Sequence, residues 1–353
     1  MYFHVFYGEN GYSKALLELL ENHIDLDNHI MVFGFYKEQS KNAVYSGKIN
    51  TKSLLKINDL LFVLKNIQKA DWIYIHFLQY NPTLLYWALN EKLLKKSTWI
   101  VWGSDLYSYY KKDKNLKTRI YEFWRRKVIS ELPEIAVFAE EEFNLIKKLY
   151  ETNAEYAPIL YPIPINISYL DRLKPKVSKE KTVFLLGNSG DKSNLHYEMI
   201  NLLTPFSAEN IEIICPLSYG ADKEYQESVI RYGTKYFGDK FIPLVDFMGK
   251  EEYSQVLGSI DVALMNHKRQ QGLGNILALL YLGKKVFMRT DVTSYAFLKN
   301  KGCELYDITQ IKNFSFTELM ETTAEIVKNK KIVKGIISKE NYLNLWLNFL
   351  KRH

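Results

Sequence analysis

Short apolar runs alternate with helix-like segments along almost the whole chain, and this alternation limits the possible folds more than any other feature of the sequence. Strand-like runs occupy 2–7, 30–36, 71–78, 98–102 and 135–139 in the first half, and 182–186, 211–215, 240–245, 262–265 and 285–288 in the second. Most of the segments between them carry apolar residues at helical spacing. Strands that alternate with helices build parallel sheets covered on both faces. The sequence therefore predicts an α/β protein.

A proline-bearing stretch separates the two series of strands. Pro158, Pro162, Pro164 and Pro175 fall within 158–178, where the alternation stops, and they predict an extended, stiff connection. We place a first Rossmann-like domain at 1–160, a linker at 161–180 and a second Rossmann-like domain at 181–338. A final helix is predicted within 339–353. Ligands in open α/β sheets bind beyond the carboxyl ends of the strands, so we expect a ligand cleft between the two sheets.

The composition excludes several classes of protein. At 353 residues the chain is long enough for two cores, and no apolar run approaches the roughly 20 residues that span a bilayer. Charged side chains inside the first periodic segments argue against a signal peptide. Cys215 and Cys303 lie in or beside strand-like runs and are predicted to be buried free thiols. We expect a cytoplasmic protein.

The run 182–186 ends at a loop that suits phosphate binding. The loop contains Gly187, Asn188, Ser189, Gly190, Asp191, Lys192, Ser193 and Asn194. Its glycines let the backbone approach a ligand, and its hydroxyls and lysine add donors. A plain turn that caps the next helix explains the same residues equally well. Neither a Walker ending nor a GxGxxG pattern is present.

A second polar loop follows the run 262–265 and opens a helix. It contains Asn266, His267, Lys268, Arg269, Gln270, Gln271, Gly272, Gly274 and Asn275. A helix N-terminus offers partial positive charge and free N–H groups, and arginine offers a fork that fits phosphate oxygens. The alternative is a solvated loop softened by glycine. Because the two loops hold matching positions in one domain, we expect them to bind a diphosphate together.

Two residues of the first domain are candidates for acid–base chemistry. Asp105, after the run 98–102, is the first choice for a base that takes a proton from an acceptor hydroxyl, and His76 is the second. The structural alternatives are a helix N-cap for Asp105 and a satisfied core residue for His76. If the reaction retains configuration, the donor phosphate can take the proton instead.

Residues 107–127 form a basic and aromatic segment. Eight lysines and arginines stand against two acidic residues, with six aromatic residues interleaved. A solvated helix face is the ordinary interpretation. Basic side chains also attract anionic headgroups, however, and Tyr and Trp suit a membrane interface. The residues expected to meet the membrane or acceptor are Lys111, Lys112, Arg119, Trp124, Arg125 and Arg126. No nucleic-acid motif accompanies them, so no nucleic-acid partner is expected.

Four stretches carry a resemblance to a known family. They are His76 with 81–84 (Asn-Pro-Thr-Leu), 102–107 (Trp-Gly-Ser-Asp-Leu-Tyr), 186–194, and 269–274 (Arg-Gln-Gln-Gly-Leu-Gly). In these the chain resembles the 4-acetamido-4,6-dideoxygalactose (Fuc4NAc) transferases of enterobacterial common antigen synthesis, glycosyltransferase family 56. The resemblance implies a GT-B architecture, in which two Rossmann-like domains face each other across a cleft. It also implies that the second domain binds the donor and that the helix in 339–353 packs back on the first domain.

The same resemblance implies an activity. A GT-B enzyme of this kind would move a sugar, Fuc4NAc or another hexose or N-acetylhexosamine, from a dTDP or UDP donor to a polyprenyl-diphosphate-linked saccharide. It would need no metal or other cofactor and would sit peripherally on the cytoplasmic face of the cell membrane. Many retaining GT-B enzymes carry Glu-x7-Glu at positions that correspond here to Gln270 and Ala278. The missing ribose-binding carboxylate favours a deoxyribose donor such as a dTDP-sugar.

Other classes fit the sequence less well. A dinucleotide-dependent oxidoreductase would need GxGxxG after an early strand, and that pattern is absent from residues 1–40. A non-catalytic basic module that binds polyanions would not need two polar loops at one edge of a sheet. Asp25-Leu26-Asp27 has the form of a metal-binding DxD but lacks the preceding apolar strand, and no metal site is expected.

Overall fold

The structure is a computed structural model that describes residues 1–37, 45, 47–78, 82–110, 115–163, 167–173, 181–321 and 323–353. The chain forms two compact units. The first comprises Met1–Pro164 with Ile337–His353, and the second comprises Ile165–Ile336.

The elements follow one another in the alternating order that the sequence predicts. The strands are β1 (Tyr2–Glu9), β2 (His29–Lys37), β3 (Thr51–Ser53), β4 (Trp72–His76), β5 (Ser97–Ile100), β6 (Glu134–Val137), β7 (Glu155–Pro158), β8 (Thr182–Leu186), β9 (Ile211–Pro216), β10 (Phe241–Leu244), β11 (Val262–Met265), β12 (Lys285–Met288) and β13 (Tyr306–Asp307). The α-helices are α1 (Gly11–Glu21), α2 (Ile57–Asn66), α3 (Pro82–Ala88), α4 (Glu91–Leu94), α5 (Ser104–Tyr107), α6 (Leu116–Glu131), α7 (Glu140–Tyr150), α8 (Ile167–Arg172), α9 (His196–Leu203), α10 (Lys223–Phe237), α11 (Lys250–Ser259), α12 (Leu273–Tyr281), α13 (Thr293–Asn300), α14 (Phe316–Met320), α15 (Ala324–Ile336) and α16 (Lys339–Leu350).

The described strands of the first unit form one parallel sheet in the order β3-β2-β1-β4-β5-β6-β7. Every residue of β5 and β6 is buried, because helices cover both faces of the sheet. One face packs against α1 and α16, where Leu16, Leu17, Trp346 and Phe349 join the core. The other face packs against α2, α3, α4, α6 and α7. The chain reverses direction across the sheet between β1 and β4, and this is the switch point where such sheets bind ligands.

The second unit repeats this plan in the order β10-β9-β8-β11-β12-β13. All described pairs are parallel, and β8, β11 and β12 are buried along their whole length. From β8 the chain moves outward to β9 and β10, then returns to β11 on the other side of β8. The switch point therefore lies between the carboxyl ends of β8 and β11.

Apolar residues keep helical spacing across 82–95, but the structure divides this segment into α3 and α4. Asn90 lies between them, and its Nδ2 donates to the carbonyl of Tyr86 at 2.6 Å, an acceptor within the last turn of α3. An asparagine side chain that bonds to nearby backbone competes with helix continuation in this way. Asn81, the expected N-cap, lies outside the described residues.

The predicted extended linker contains a helix instead. Within 161–180 the structure has α8, whose Leu170 is buried, and Arg172 lies 3.9 Å from Glu251 of α11. The helix therefore packs within the second unit.

Cys215 and Cys303 are buried free thiols, as predicted. Across the described ranges, no helix is long and apolar enough to cross a membrane.

Candidate active site

The two polar loops of the second unit meet at its switch point. Gly187 N, at the start of the loop after β8, donates to Leu264 O of β11 at 2.8 Å, and Lys268 N of the loop after β11 donates to Ser193 O of the first loop at 3.1 Å. The structure thus brings together the residues that the sequence predicts for donor binding. This follows from parallel pairing, because β8 and β11 are neighbours and their carboxyl ends share one edge.

Asn194 joins the parts of the first loop. Its side chain is fully buried, and its Oδ1 accepts from Asn188 N at 3.0 Å and from His267 Nε2 at 2.9 Å. Its Nδ2 donates to Asp191 O at 2.9 Å. Gly187 has φ +68° and passes so close that a Cβ would lie 2.3 Å from Asn194 Oδ1. Only glycine fits at 187.

Gln271 ties the second loop to the first. Its Nε2 donates to Asn188 Oδ1 at 3.2 Å and to Ser189 Oγ at 3.3 Å, and its Oε1 lies 2.5 Å from Ser193 Oγ. The next residue, Gly272, has φ +63°, and a Cβ there would lie 2.9 Å from Asn188 Cγ. The two loops therefore form one packed unit in which neither can move without the other.

The backbone of the first loop is largely occupied by its own hydrogen bonds. The N–H groups of five residues all donate within the protein: Gly187, Asn188, Gly190, Ser193 and Asn194. Asp191 Oδ1 accepts from both Ser193 N and Ser193 Oγ, at 2.8 and 2.6 Å. The sequence suggests outward-pointing N–H groups in this loop, but the structure uses most of them to hold the loop's shape.

Among the residues that the structure describes, N–H groups with no side-chain cap lie instead at the N-terminus of α12. Gly272 is the N-cap and no side chain caps the helix; the first main-chain bond of the helix runs from Ile276 N to Gly272 O at 3.0 Å. The N–H groups of Leu273, Gly274 and Asn275 precede that bond, so they have no partner within the helix. No acidic residue lies in the first turn. This helix end therefore combines open N–H donors with the positive end of the helix dipole.

Arg269 belongs to the second loop, and its side chain reaches the first loop. Its guanidinium lies 3.6 Å from Asp191 Oδ2 and donates to Gln270 O at 3.4 Å, with 23% of the side chain exposed. Gln270 is partly exposed, and Asn275 Nδ2 donates to Tyr253 OH at 2.9 Å. A guanidinium loosely paired with a half-exposed carboxylate can turn to a more strongly charged anion.

Two buried histidines support the site and carry no charge at neutral pH. Burial, with Arg269 as the second cause, lowers the pKa of His267 to about 3. Burial lowers the pKa of His196 to about 4, and His196 Nδ1 lies 3.1 Å from Tyr225 OH. Since Asn194 Oδ1 accepts from His267 Nε2, the proton of the neutral His267 ring lies on Nε2.

Sequence reasoning missed Tyr219. It lies in the loop after β9, the strand that pairs with β8. Its hydroxyl accepts from Asn188 Nδ2 at 3.0 Å, and 53% of the residue remains exposed. Its carbonyl accepts from Gly190 N at 2.8 Å. The available signal was its position in a loop after a strand, the same signal that identified the other two loops.

Asp105 is a buried structural carboxylate in the first unit. Its Oδ2 accepts from Leu78 N at 3.0 Å and Trp99 Nε1 at 2.9 Å. Its Oδ1 accepts from Trp102 N and Leu106 N, both at 3.1 Å. Burial raises the pKa of Asp105, while the nearby charge of Arg125 acts in the opposite direction. Asp105 lies within α5, whose N-cap is Gly103, so the N-cap alternative for Asp105 is wrong.

His76 is also buried, at the carboxyl end of β4. Its Nε2 lies 3.0 Å from His4 Nδ1, and its Nδ1 contacts the hydroxyl of Tyr161. Burial lowers its pKa well below the ordinary value. The next residue, Phe77, has φ +77°, a strained conformation for a bulky side chain. Both side chains are buried in the structure, and a direct catalytic role for either stays a prediction from the sequence.

The basic segment divides between core and surface. Arg125 is fully buried, its guanidinium stacks 5.4 Å from the rings of Trp99 and Tyr150, and it donates to Ser108 Oγ. Its predicted contact with a membrane is therefore wrong, because its turn of α6 also carries the buried Val128 and Ile129. Arg119 and Arg126 are exposed and Trp124 is partly exposed. Lys111 and Lys112 lie outside the described residues.

The exposed face of α6 carries an apolar stripe that sequence reasoning missed. Leu116, Ile120 and Phe123 are 74%, 50% and 65% exposed, at the spacing of one helix face.

In the part of the chain that the structure describes, no group of three or more His, Cys, Asp or Glu side chains is placed to hold a metal ion.

Comparisons with known proteins agree with this architecture. A family model described as 4-alpha-L-fucosyltransferase, glycosyl transferase group 56, matches residues 15–353. The chain is similar to sucrose-phosphate synthase from Thermosynechococcus elongatus, with a TM-score of 0.68, 10% identity, and coverage of 100% of this chain and 98% of that one. It is similar to HepE of Anabaena in complex with UDP and glucose, with a TM-score of 0.67, 10% identity and 99% coverage of each chain. It is also similar to WaaG, a glycosyltransferase involved in lipopolysaccharide biosynthesis, with a TM-score of 0.61, 9% identity, and coverage of 99% and 98%. The structural likeness at this identity concerns the fold, and it confirms the predicted GT-B class.

Proposed function

The chain belongs to glycosyl transferase group 56, and from that premise we propose that it transfers a 6-deoxyhexose, Fuc4NAc in the first instance, from a dTDP donor to a polyprenyl-diphosphate-linked saccharide. It is a nucleotide-sugar glycosyltransferase of the GT-B fold. The family's description names a fucosyl group, and Fuc4NAc shares with fucose the missing hydroxyl at carbon 6. That shared chemistry supports the choice of donor sugar.

One observation carries the donor assignment: the uncapped N-terminus of α12 beside Arg269, at the switch point of the second sheet. We place the donor diphosphate there. The loop 187–194 is then not the main phosphate ligand. It packs against Gln271 and Gly272 and fixes them in place. Donors fixed in advance around a departing diphosphate stabilise the charge that develops as the sugar bond breaks.

The nucleotide preference follows from the missing carboxylate. Residues 266–275 contain neither Asp nor Glu, and Ala278 lies fully buried in the middle of α12. The two hydroxyls of a ribose would therefore find no carboxylate acceptor on this loop or helix. A deoxyribose nucleotide has no 2′-hydroxyl that needs such an acceptor, so the missing carboxylate costs it less binding energy. This supports dTDP over UDP as the donor nucleotide.

Acid–base roles follow from the geometry of the first unit. The carboxylate of Asp105 accepts hydrogen bonds from four N–H groups. We propose that it therefore holds the shape of the sheet edge that binds the saccharide acceptor and does not take the proton of the acceptor hydroxyl. We assign His76 a role through Tyr161, its neighbour toward the surface. Arg269 and the N-terminus of α12 supply the positive charge that stabilises the departing diphosphate anion, so we propose transfer without a metal ion.

The membrane is the proposed partner surface. The exposed stripe of α6 and the cations Lys117 and Arg119 beside it give apolar contact and attraction to anionic headgroups on one helix. A lipid-linked acceptor is reached from that surface. This supports a peripheral position on the cytoplasmic face of the cell membrane.

Binding to a panel of nucleotides and nucleotide sugars tests the proposal. We expect dTDP and dTDP-Fuc4NAc to raise the melting temperature and to bind more tightly than UDP by calorimetry, with no change on adding EDTA. Arg269→Ala should weaken dTDP binding by roughly tenfold or more, as expected for a charge-assisted contact. Lys268→Ala, an exposed cation on the same loop, is the matched control and should bind normally. Stabilisation by heparin but by no nucleotide would instead support the polyanion-binding alternative, and tighter UDP binding would overturn the dTDP assignment.

A further inference from the structure

Three histidines of the first unit form a diagonal line across neighbouring strands. His29 of β2 lies opposite Tyr2 of β1, His4 lies two residues further along β1, and His76 of β4 lies opposite Phe6, two residues further again. Residues two apart on a strand share one face of the sheet. The three rings therefore line up on one face, from near the amino edge at His29 to the carboxyl edge at His76.

The rings are joined end to end. His29 Nδ1 lies 3.0 Å from His4 Nε2, and His4 Nδ1 lies 3.0 Å from His76 Nε2. His76 Nδ1 contacts the hydroxyl of Tyr161. His4 and His76 are fully buried and His29 is 8% exposed, whereas Tyr161 is partly exposed and follows β7 at the carboxyl edge. We call these four residues the imidazole chain.

All three rings are neutral at physiological pH. Burial lowers the pKa of His29 to about 4 and those of His4 and His76 well below the ordinary value. A neutral imidazole has one N–H donor and one acceptor nitrogen. Because each contact joins Nδ1 of one ring to Nε2 of the next, the tautomer of one ring fixes that of its neighbour. Either all three rings carry the proton on Nε2, or all three carry it on Nδ1.

The hydroxyl of Tyr161 selects between these two states. A phenol O–H is a stronger acid than the N–H of a neutral imidazole, so the favoured contact has the phenol donating to His76 Nδ1. His76 Nε2–H then donates to His4 Nδ1, and His4 Nε2–H donates to His29 Nδ1. The side chain of Trp102 hydrogen-bonds to the Tyr161 oxygen, and the remaining lone pair of that oxygen is left for a further partner.

We propose that His29, His4 and His76 are positioning residues that hold the Tyr161 hydroxyl as an inward donor, so that its oxygen accepts a hydrogen bond from a hydroxyl group of the saccharide acceptor. This inference rests on the proposed function. The surroundings of Tyr161 suit a sugar, since the ring of Trp102 lies 5.1 Å away and Phe77 and Tyr12 lie 5.7 and 6.0 Å from Trp102. The strained Phe77 directly follows His76.

Nuclear magnetic resonance of the full chain labelled with [15N]histidine tests the tautomers without any substrate. We expect His4, His29 and His76 all to show the Nε2–H pattern at pH 7.5, with each ring assigned by a histidine-to-glutamine variant. Tyr161→Phe keeps the ring but removes the terminal donor, and it should shift the nitrogen signals of His76 and His4. Tyr12→Phe, an exposed tyrosine at the same edge, should leave them unchanged. A mixture of tautomers, a common Nδ1–H pattern or a protonated ring would overturn the proposal.

Kinetics test the role in acceptor use. His29→Leu breaks the far end of the imidazole chain and should lower transfer to a synthetic polyprenyl-diphosphate-linked disaccharide by roughly tenfold. His29→Gln returns a carbonyl acceptor for His4 and should restore most of that loss, while dTDP affinity stays unchanged in both variants. The exposed His23→Gln is the control. Equal turnover in the His29→Leu and wild-type proteins would overturn the positioning role. No transfer by wild type with any donor, together with the expected tautomers, would count against the proposed function and against acceptor positioning while leaving the tautomer assignment standing.

Discussion

Gly272 shows how much of the donor site depends on one missing side chain. Its backbone is left-handed and lies against Asn188, so a methyl group would meet Asn188 Cγ at 2.9 Å. Gly283, at the other end of the same helix, is also left-handed, with φ +68°, but a Cβ there would meet nothing within 4 Å. A substitution at Gly283 therefore introduces backbone strain alone, whereas a substitution at Gly272 introduces both backbone strain and a steric clash with Asn188.

Alanine at each of these glycines should therefore give different results. Gly283→Ala should lower the free energy of unfolding by about 1 kcal/mol, from the strain of a left-handed alanine, and Gly272→Ala should lower it by more, because its Cβ also meets Asn188. Only Gly272→Ala should also weaken dTDP binding, by roughly tenfold, because Asn188 and Gln271 must move. Calorimetry gives the affinities. Equal affinities in the two variants would show that the contact with Asn188 is irrelevant to binding.

His267 predicts how stability depends on pH. In the folded chain its pKa is about 3, against about 6.5 in the unfolded chain. Between these values the unfolded chain binds a proton that the folded chain does not. The free energy of unfolding should thus fall as pH falls below 6.5, by up to about 1.4 kcal/mol per pH unit from this residue. Hydrogen exchange of β8 and β11 between pH 7 and 5 measures it.

His267→Gln supplies the comparison for that pH dependence. Glutamine keeps an N–H donor for Asn194 Oδ1 but takes up no proton, so the slope for the second unit should become shallower. His23→Gln, at an exposed position of the first unit, should leave the slope unchanged. A wild-type slope in His267→Gln would mean that other groups carry the acid sensitivity.

Arg125 shows how far residue-level sequence reasoning reaches. Its charge suggested an exposed surface, but helical spacing places it with Val128 and Ile129 on the buried side of α6. Helical spacing gives α6 two apolar stripes on opposite faces, one with Val128 and Ile129 and one with Leu116, Ile120 and Phe123, and the period alone does not decide which is buried. The rings of Trp99 and Tyr150 that receive the guanidinium come from distant parts of the chain, and no local pattern indicates them.

At the level of elements, the sequence predicted both donor loops but not how they share the work. Loops after apolar strands were recognisable from residue type alone. Which N–H groups remain open depends on the side chains of Asn194 and Asp191 folding back beneath the loop, and on Gly190 pairing with Tyr219. These contacts are tertiary. For that reason the sequence assigned the diphosphate to both loops together, whereas the uncapped N–H groups lie at the N-terminus of α12.

Asp105 connects several elements and predicts a loss of stability. Its carboxylate joins Leu78 after β4, Trp99 in β5 and Leu106 in α5. Asp105→Asn would turn an N–H group toward one of these pairs of donors, and it should lower the free energy of unfolding of the first unit by about 2–3 kcal/mol. All six tryptophans lie in that unit, so tryptophan fluorescence in urea reports it selectively.

The exposed Asp246→Asn is the control for Asp105 and should leave that transition unchanged. Affinity for dTDP should remain normal in both variants, because Asp105 belongs to the other unit. Wild-type stability combined with a large loss of turnover would favour the base role that the sequence predicts for Asp105, and it would contradict the structural role argued above.

For the whole molecule, the sequence predicted the class of fold from the alternation of periods alone. It could not give strand order, since parallel neighbours are set by pairing between distant segments. The switch points follow from that order, and they explain why the two polar loops of the second unit, after β8 and β11, lie side by side. The short edge strands β3, β7 and β13 carried no apolar run long enough to recognise.

Membrane association is the prediction that concerns the molecule's surface as a whole. Each cation near an anionic bilayer contributes about 1 kcal/mol to binding, so reversing both Lys117 and Arg119 to Glu should weaken binding to phosphatidylglycerol vesicles by more than roughly tenfold. The matched control reverses Lys223 and Arg231 of α10, which are 88% and 69% exposed in the second unit. Vesicle cosedimentation should separate the two variants, while both bind dTDP as wild type does. Equal vesicle binding by the two variants, or a parallel loss of dTDP affinity, would contradict a membrane role for α6.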